Sequence, residues 1–236
     1  MIKKISFLAA AIATVLFISP ALVSALGAYG SGTTGVDVSY PNCSTSIPKT
    51  AFGIVGVTHG LFYSYNDCLA SEASHFQNLS LYTNTGWYDQ STHLNAASPL
   101  TCAATDANCL AYNYGYNAAL DGLNYARTKG ASSTTWWLDV ETANSWNSDA
   151  SQNRSSLQGS YDALKNNGTQ TVGVYSTTAQ WQSITGGWIN NWPNWGATTW
   201  TTAKQAAKYC TGHNFSGGPT YLIQYIGRSL DQDYAC

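Results

Sequence analysis

Charged side chains are scarce in this 236-residue chain, which has 10 Lys and Arg and 12 Asp and Glu. Because nucleic acids and anionic membranes are bound by clustered positive charge, neither is expected as the main partner. The four histidines are scattered and no Cys-x-x-Cys occurs, so we expect no metal site. Nucleotide-binding loops of the GxGxxG or Walker type are also missing, and we expect no cofactor. A serine-hydrolase elbow, Gly-x-Ser-x-Gly, is absent as well.

One long apolar run stands near the N-terminus. Two lysines precede Ile5–Ile18, and small residues of the type that a signal peptidase recognises end at Ala25. The run is shorter than the ~20 residues that a membrane span needs. We therefore expect a signal peptide over residues 1–25 rather than an anchor, with no membrane insertion. Residues 26–236 would then form one secreted, extracellular domain.

All six cysteines follow this segment, and an even number in a secreted chain predicts disulfides. Six cysteines allow fifteen pairings. We expect pairing in order along the chain, with the last bond tethering the C-terminus: Cys43–Cys68, Cys102–Cys109 and Cys210–Cys236.

Aromatic residues make up 13% of the chain, in a background of Ser, Thr, Asn and Gly. Tyr and Trp offer an apolar face with a polar tip, which suits sugars. A disulfide-stapled structural surface protein shares this composition, so composition alone does not decide the function.

Short β-rich runs alternate with amphipathic stretches after residue 30. Strands are predicted at Gly35–Ser39, Phe52–Thr58, Ser80–Thr83, Thr134–Val140, Thr171–Tyr175, Gly196–Trp200 and Tyr221–Tyr225. Helices are predicted at Asp67–Gln77, Asp106–Lys129, Ser148–Asn166, Thr178–Ile184 and Thr202–Tyr209. The alternation indicates an α/β fold with parallel strands. An open doubly wound sheet and a closed (β/α) TIM-like barrel both fit it.

Four acidic residues lie at or just beyond the ends of apolar, strand-like runs: Asp37, Asp139, Glu141 and Asp231. Burying carboxylates there is costly and raises their pKa values, which is one way of making a general acid. The active site of an α/β barrel lies at the carboxyl ends of its strands. The position of the acids therefore favours the barrel over the open sheet.

Asp139 and Glu141 are two positions apart on a predicted strand, so their side chains leave the same face. Their Cα atoms should lie about 6–7 Å apart. Carboxyl groups at this spacing fit either retaining or inverting glycoside hydrolysis. A structural role, in which the two acids cap the strand end, is the alternative.

The chain resembles glycoside hydrolase family 25, the lysozyme-type muramidases, from about Gly35 to Tyr234. The matching motifs are short, but their order and spacing agree with the family. They are Gly35-Val-Asp-Val-Ser, Trp137-Leu-Asp-Val-Glu, Val172-Gly-Val-Tyr-Ser, and Leu222-Ile-Gln-Tyr followed by Leu230-Asp-Gln-Asp.

This resemblance implies a single catalytic barrel, irregular in its last third, over residues 26–236. It implies cleavage of the β-1,4 bond between N-acetylmuramic acid and N-acetylglucosamine in peptidoglycan. Glu141 would then be the general acid. Asp37, Asp139 and Asp231 would set its pKa, position water or stabilise positive charge on the sugar ring. A monomer acting on a polysaccharide is expected.

Polar and aromatic residues near strand ends are candidates for binding sugar, although packing explains many such positions equally well. We expect one of Trp136 and Trp137 inside the barrel and the other under a helix, because neighbours on a strand face opposite ways. The candidate substrate-binding residues are His59, Tyr82, Tyr175, Trp195, Gln224 and Tyr225.

The chain also departs from the family. Its second strand has Gly56 where a basic residue is usual, His59-Gly60 replaces Glu-Gly, and Tyr82-Thr83-Asn84 replaces a Tyr-His-Phe-like segment. These changes leave another polysaccharide, such as chitin, open as the substrate. A chitinase would need Asp in place of Trp137. A catalytically silent carbohydrate-binding barrel is the other alternative.

Overall fold

A computed structural model describes residues 29–236, and the expected signal peptide lies outside them. Eight strands form one closed barrel in this part of the chain. The strands are β1 Thr34–Val38, β2 Phe52–Gly56, β3 Leu79–Asn84, β4 Thr135–Asp139, β5 Thr171–Ser176, β6 Asn194–Ala197, β7 Thr220–Tyr225 and β8 Gln232–Ala235. The predicted single α/β barrel is confirmed.

The strands follow chain order around the barrel, and β1 to β7 are parallel neighbours. β8 is antiparallel to both β7 and β1 and closes the barrel. Our expectation of seven strands, all parallel, was therefore wrong. The closing strand is only four residues long and contains an acid, so it lacks the β-branched run on which strand prediction relies.

The sixth strand was predicted at Gly196–Trp200, and its predicted start is two residues later than the start of β6 in the structure. Asn194 begins the observed strand, and its buried side chain donates to the carbonyl oxygen of Gly218 at 2.8 Å. It also accepts from the backbone N–H of Ser216 at 3.1 Å. A polar residue satisfied inside a strand does not look like a strand start in sequence.

Five helices cover the outside of the barrel in the described part of the chain. They are α1 Leu69–Ala73, α2 Ala107–Thr128, α3 Ala150–Asn166, α4 Thr178–Thr185 and α5 Ala203–Ala206, with 3-10 turns at Tyr40–Asn42 and Ala207–Tyr209. Asp106 caps α2 by accepting from the backbone N–H of Cys109 at 3.0 Å, as expected from an acid at a helix start. The four-residue α5 makes the last third irregular, which confirms that expectation.

The apolar core has two layers: one fills the interior of the barrel, and the other lies between the strands and the helices. Trp136 packs in the outer layer with residues of α2, whereas Trp137 lies inside the barrel, as the alternation of strand residues predicts. Inside, Trp137 Nε1 donates to the hydroxyl of Tyr29 at 2.9 Å. Apolar side chains, among them Phe52, Ile54 and Leu222, fill this interior.

The three disulfides join the cysteines in order: Cys43–Cys68, Cys102–Cys109 and Cys210–Cys236. The predicted pairing is confirmed. The last bond ties the residue after β8 to the segment after α5. Among the helices of residues 29–236, none is both long enough and apolar enough to cross a membrane.

Candidate active site

A cavity of about 480 Å³ opens at the carboxyl ends of the parallel strands. Alternate residues of a strand face the barrel interior, and those at the carboxyl ends of the strands form the wall of the cavity. It is lined by Asp37, Ser39, Pro41, Asn42, Tyr82, Asp139, Glu141, Tyr175, Trp195, Gln224 and residues 227–231. All four predicted acids therefore meet in one place.

Asp139 and Glu141 form a hydrogen-bonded carboxyl pair at the end of β4. Asp139 is buried, and its Oδ2 accepts from Nδ2 of Asn84 at 2.6 Å. Burial and the neighbouring charge of Glu141 hold the pKa of Asp139 well above its usual range. Burial also raises the pKa of Glu141, against hydrogen bonds from Gln180 and Asp139 that lower it. Because two touching carboxylates repel, the pair retains a proton where free acids would be ionised.

A second hydrogen-bonded carboxyl pair joins Asp37 on β1 to Asp233 on β8. Burial raises the pKa of Asp37 to about 7, although a hydrogen bond from Gln224 lowers it. Gln224 Nε2 donates to Asp37 Oδ2 at 3.0 Å, and Gln224 Oε1 accepts from the hydroxyl of Tyr175 at 2.8 Å. Asp233 is completely buried, which holds its pKa well above the usual range.

Asp231 lies on the cavity wall beside both pairs. Its side chain is exposed to solvent, but partial desolvation by the surrounding wall raises its pKa. Its charge in turn raises the pKa values of Asp37 and Glu141. Its backbone oxygen accepts from the N–H of Asp37 at 3.3 Å, so pairing between β8 and β1 fixes its position.

The model of one protein family, described as lysozyme-like protein 1, matches residues 57–216 of the sequence. The chain belongs to the lysozyme-like protein 1 family. The resemblance to glycoside hydrolase family 25 that the motifs indicated is confirmed, and the protein is a lysozyme-type glycoside hydrolase. The match includes Asp139 and Glu141 and stops short of the acids on β1 and β8. No curated protein sequence matches significantly.

Solved structures of lysozymes share this fold. A Streptomyces coelicolor lysozyme has 17% identity and a TM-score of 0.52, over 87% of this chain and 92% of that one. The Streptococcus pneumoniae glycosyl hydrolase 25 named GHIP has 15% identity and a TM-score of 0.52, over 86% and 87%. The S. pneumoniae autolysin LytC, in complex with a synthetic peptidoglycan ligand, has 15% identity and a TM-score of 0.53, over 85% and 46%.

In this lysozyme-like protein, the cavity gathers four of the six predicted sugar-binding residues: Tyr82, Tyr175, Trp195 and Gln224. The rings of Tyr175 and Trp195 are 4.5 Å apart between centroids, and those of Tyr82 and Trp195 are 6.1 Å apart. These aromatic residues therefore form one connected wall. Of the tryptophans crowded between residues 180 and 200, Trp195 is the one that lines the cavity.

Tyr225 and His59 are not brought to the cavity wall. Tyr225 follows Gln224 on β7, so its side chain leaves the opposite face, where it packs with Ala206 and Ile223. The ring of His59 instead lies on that of Tyr40, with 3.8 Å between centroids. Their placement does not support the predicted role of either residue in binding substrate.

The sequence interpretation missed Asp233, Asn84 and Gln180, all of which bond to the acids of this lysozyme-like site. A signal for Asp233 was present, because it stands two residues after Asp231 and must share its face. For Asn84 and Gln180 no motif gave a signal, since their contacts depend on where β3 and α4 lie relative to β4.

Proposed function

We propose that the protein is a secreted, extracellular, monomeric muramidase. It cleaves the β-1,4 bond between N-acetylmuramic acid and N-acetylglucosamine in peptidoglycan. The observation that carries this proposal is the hydrogen-bonded Asp139–Glu141 carboxyl pair, which lies at the edge of an open, polar cavity. The peptidoglycan ligand of the structurally similar LytC supports the choice of polymer.

Glu141 is the member of the pair that delivers the proton to the leaving oxygen. It is partly exposed and lines the cavity, whereas Asp139 is buried and held by Asn84. Its raised pKa keeps it protonated closer to neutral pH than an exposed glutamate.

Asp37 and Asp231 supply negative charge on the other side of the cavity. Gln224 holds the Asp37 carboxylate in place, and the transition state of glycoside hydrolysis carries positive charge on the sugar ring. Two carboxylates facing the ring stabilise that charge.

The test compares the wild type with Glu141→Gln on purified peptidoglycan, with release of reducing ends as the readout. Loss of a general acid lowers the rate by about 10²–10⁴-fold. Glu72→Gln is the matched control, because Glu72 on α1 is a buried glutamate that accepts a hydrogen bond from Asn66 at 2.7 Å and does not line the cavity. It should keep wild-type activity.

Products ending in reducing N-acetylmuramic acid would support the proposal, and chitin serves as a parallel substrate. Activity on chitin alone would keep the acid mechanism and reject peptidoglycan. Release that persists in Glu141→Gln would reject Glu141 as the acid. Binding of glycan by a folded wild type without any cleavage would instead indicate a carbohydrate-binding barrel.

A further inference from the structure

Asp233 has an unusual environment for an acidic side chain. It lies on β8 with no exposed surface, and its Oδ1 accepts from Nε1 of Trp195 at 2.7 Å. Its Oδ2 is buried and has no N–H donor among the described residues. Its remaining hydrogen-bond partner is the carboxyl group of Asp37. Neither our sequence interpretation nor the family match assigns it a role.

Two carboxyl groups in contact do not both ionise, so one proton lies between Asp37 and Asp233. Asp37 has the better environment for negative charge, because the Gln224 amide and a backbone N–H both stabilise its carboxylate. Asp233 receives a single N–H donor, from Trp195. The proton therefore belongs to Asp233, and its otherwise unpaired Oδ2 is the oxygen that carries it.

The other titratable groups around Asp233 agree with this assignment. Asp231, immediately before β8, opposes ionisation of Asp233 through its charge. Tyr29 inside the barrel, Tyr175 on β5 and Tyr225 on β7 also interact electrostatically with Asp233, and their own pKa values are raised. These hydroxyl groups stay neutral near neutral pH and bring no positive charge to offset a buried carboxylate.

We propose that Asp233 is a positioning residue that keeps its proton and donates a hydrogen bond to Asp37, holding the Asp37 carboxylate ionised and aimed into the cavity. Asp37 is then fixed from two sides, by the neutral acid below and by the Gln224 amide beside it. The Tyr175 hydroxyl orients that amide. Asp233 stays protonated throughout turnover. The effect on catalysis rests on the proposed function, but the protonation state does not.

The decisive pair of variants is Asp233→Asn and Asp233→Leu. An asparagine presents an oxygen to Trp195 and an N–H to Asp37, so it reproduces the bonds of a neutral aspartic acid. A leucine has the same branching at Cγ but donates no hydrogen bond. We expect Asp233→Asn to keep kcat/KM within a few-fold of wild type, with an unchanged acid limb in its pH profile. Asp233→Leu should lose about 10- to 100-fold and have its acid limb moved to higher pH.

Titration of 13C-labelled aspartate carboxyl groups by NMR gives a readout that needs no substrate. Among the wild-type aspartate signals that stay protonated at alkaline pH, one should disappear in Asp233→Asn, and the signal of Asp139, whose pKa is also raised, is assigned separately by its loss in Asp139→Asn. If every aspartate ionises by that pH, or if Asp233→Asn is as damaged as Asp233→Leu, Asp233 acts as a charge and the proposal fails. An inactive wild type with the protonated signal present would reject the muramidase assignment alone.

Discussion

Replacing Gln224 with Met should move the titration of Asp37 toward higher pH. The wild-type amide donates to Asp37 Oδ2 at 3.0 Å, and this bond favours the ionised carboxylate. Met has similar length and no N–H, so the variant removes the donor without opening a large cavity. Because the ionised form loses a partner that the protonated form does not need, the pKa must rise.

The size of the change follows from the charge on the acceptor. A hydrogen bond to a charged group is worth about 1.5–3 kcal/mol, and one pKa unit corresponds to about 1.4 kcal/mol. The pKa of Asp37, about 7 in the wild type, should therefore rise to roughly 8–9 in Gln224→Met. If the Asp37 carboxylate stabilises the transition state, the acid limb of kcat/KM moves by the same amount.

The assay is the pH profile of kcat/KM on solubilised peptidoglycan, beside a 13C titration of the aspartate carboxyl groups. Tyr175→Phe is the matched control, because it removes the hydroxyl that orients the amide at 2.8 Å and leaves the amide in place. Its effect on the titration should be smaller. A folded Gln224→Met protein with wild-type titration and acid limb would show that Gln224 does not control Asp37.

Two further predictions concern stability. The pKa of Asp37 is raised from 3.8 to about 7 in the folded protein. Protonation of Asp37 therefore stabilises the fold fully below about pH 4, and this stabilisation is lost as the pH rises through 7. Calorimetry should show Tm falling over this range, and falling less steeply in the double variant Asp37→Asn/Asp139→Asn. Gly115→Ala should lower the free energy of unfolding by about 1–3 kcal/mol in urea titration, because its Cβ would collide with the carbonyl oxygen of Ser156. Gly122→Ala, in the same helix with its nearest neighbour at 3.5 Å, should be neutral or stabilising by up to about 1 kcal/mol; an equal loss in both variants would contradict the packing argument.

The regular part of the fold was predictable because its strands are apolar and its helices have clear starts and stops. The motif around Asp139 and Glu141 marked the end of β4, and residue alternation placed Trp136 and Trp137 on opposite faces. The same rule would have removed Tyr225, since it cannot share a face with Gln224. Nearness to a strand end alone does not give the direction in which a side chain points.

The rest of the site depends on distances along the barrel axis, which a sequence does not contain. Asp231 and Asp233 face the same way, yet β8 pairs so that Gly35 lies opposite Asp233, one level deeper than Asp37. Because of this difference in depth, Asp231 is exposed on the cavity wall, whereas Asp233 is completely buried beneath Asp37. Only the register of an antiparallel strand, hidden in a short polar segment, makes that distinction.

Closure of the barrel by β8 also brings together parts of the site that lie far apart along the chain. The Gln224–Asp37 hydrogen bond joins residues 187 positions apart. Asp233 contacts Asp37 where β8 pairs with β1. A chain folded only as far as β6 has Asp139 and Glu141 but an unsupported Asp37. The complete set of acids therefore exists only where β7 and β8 are in place and β8 is paired with β1.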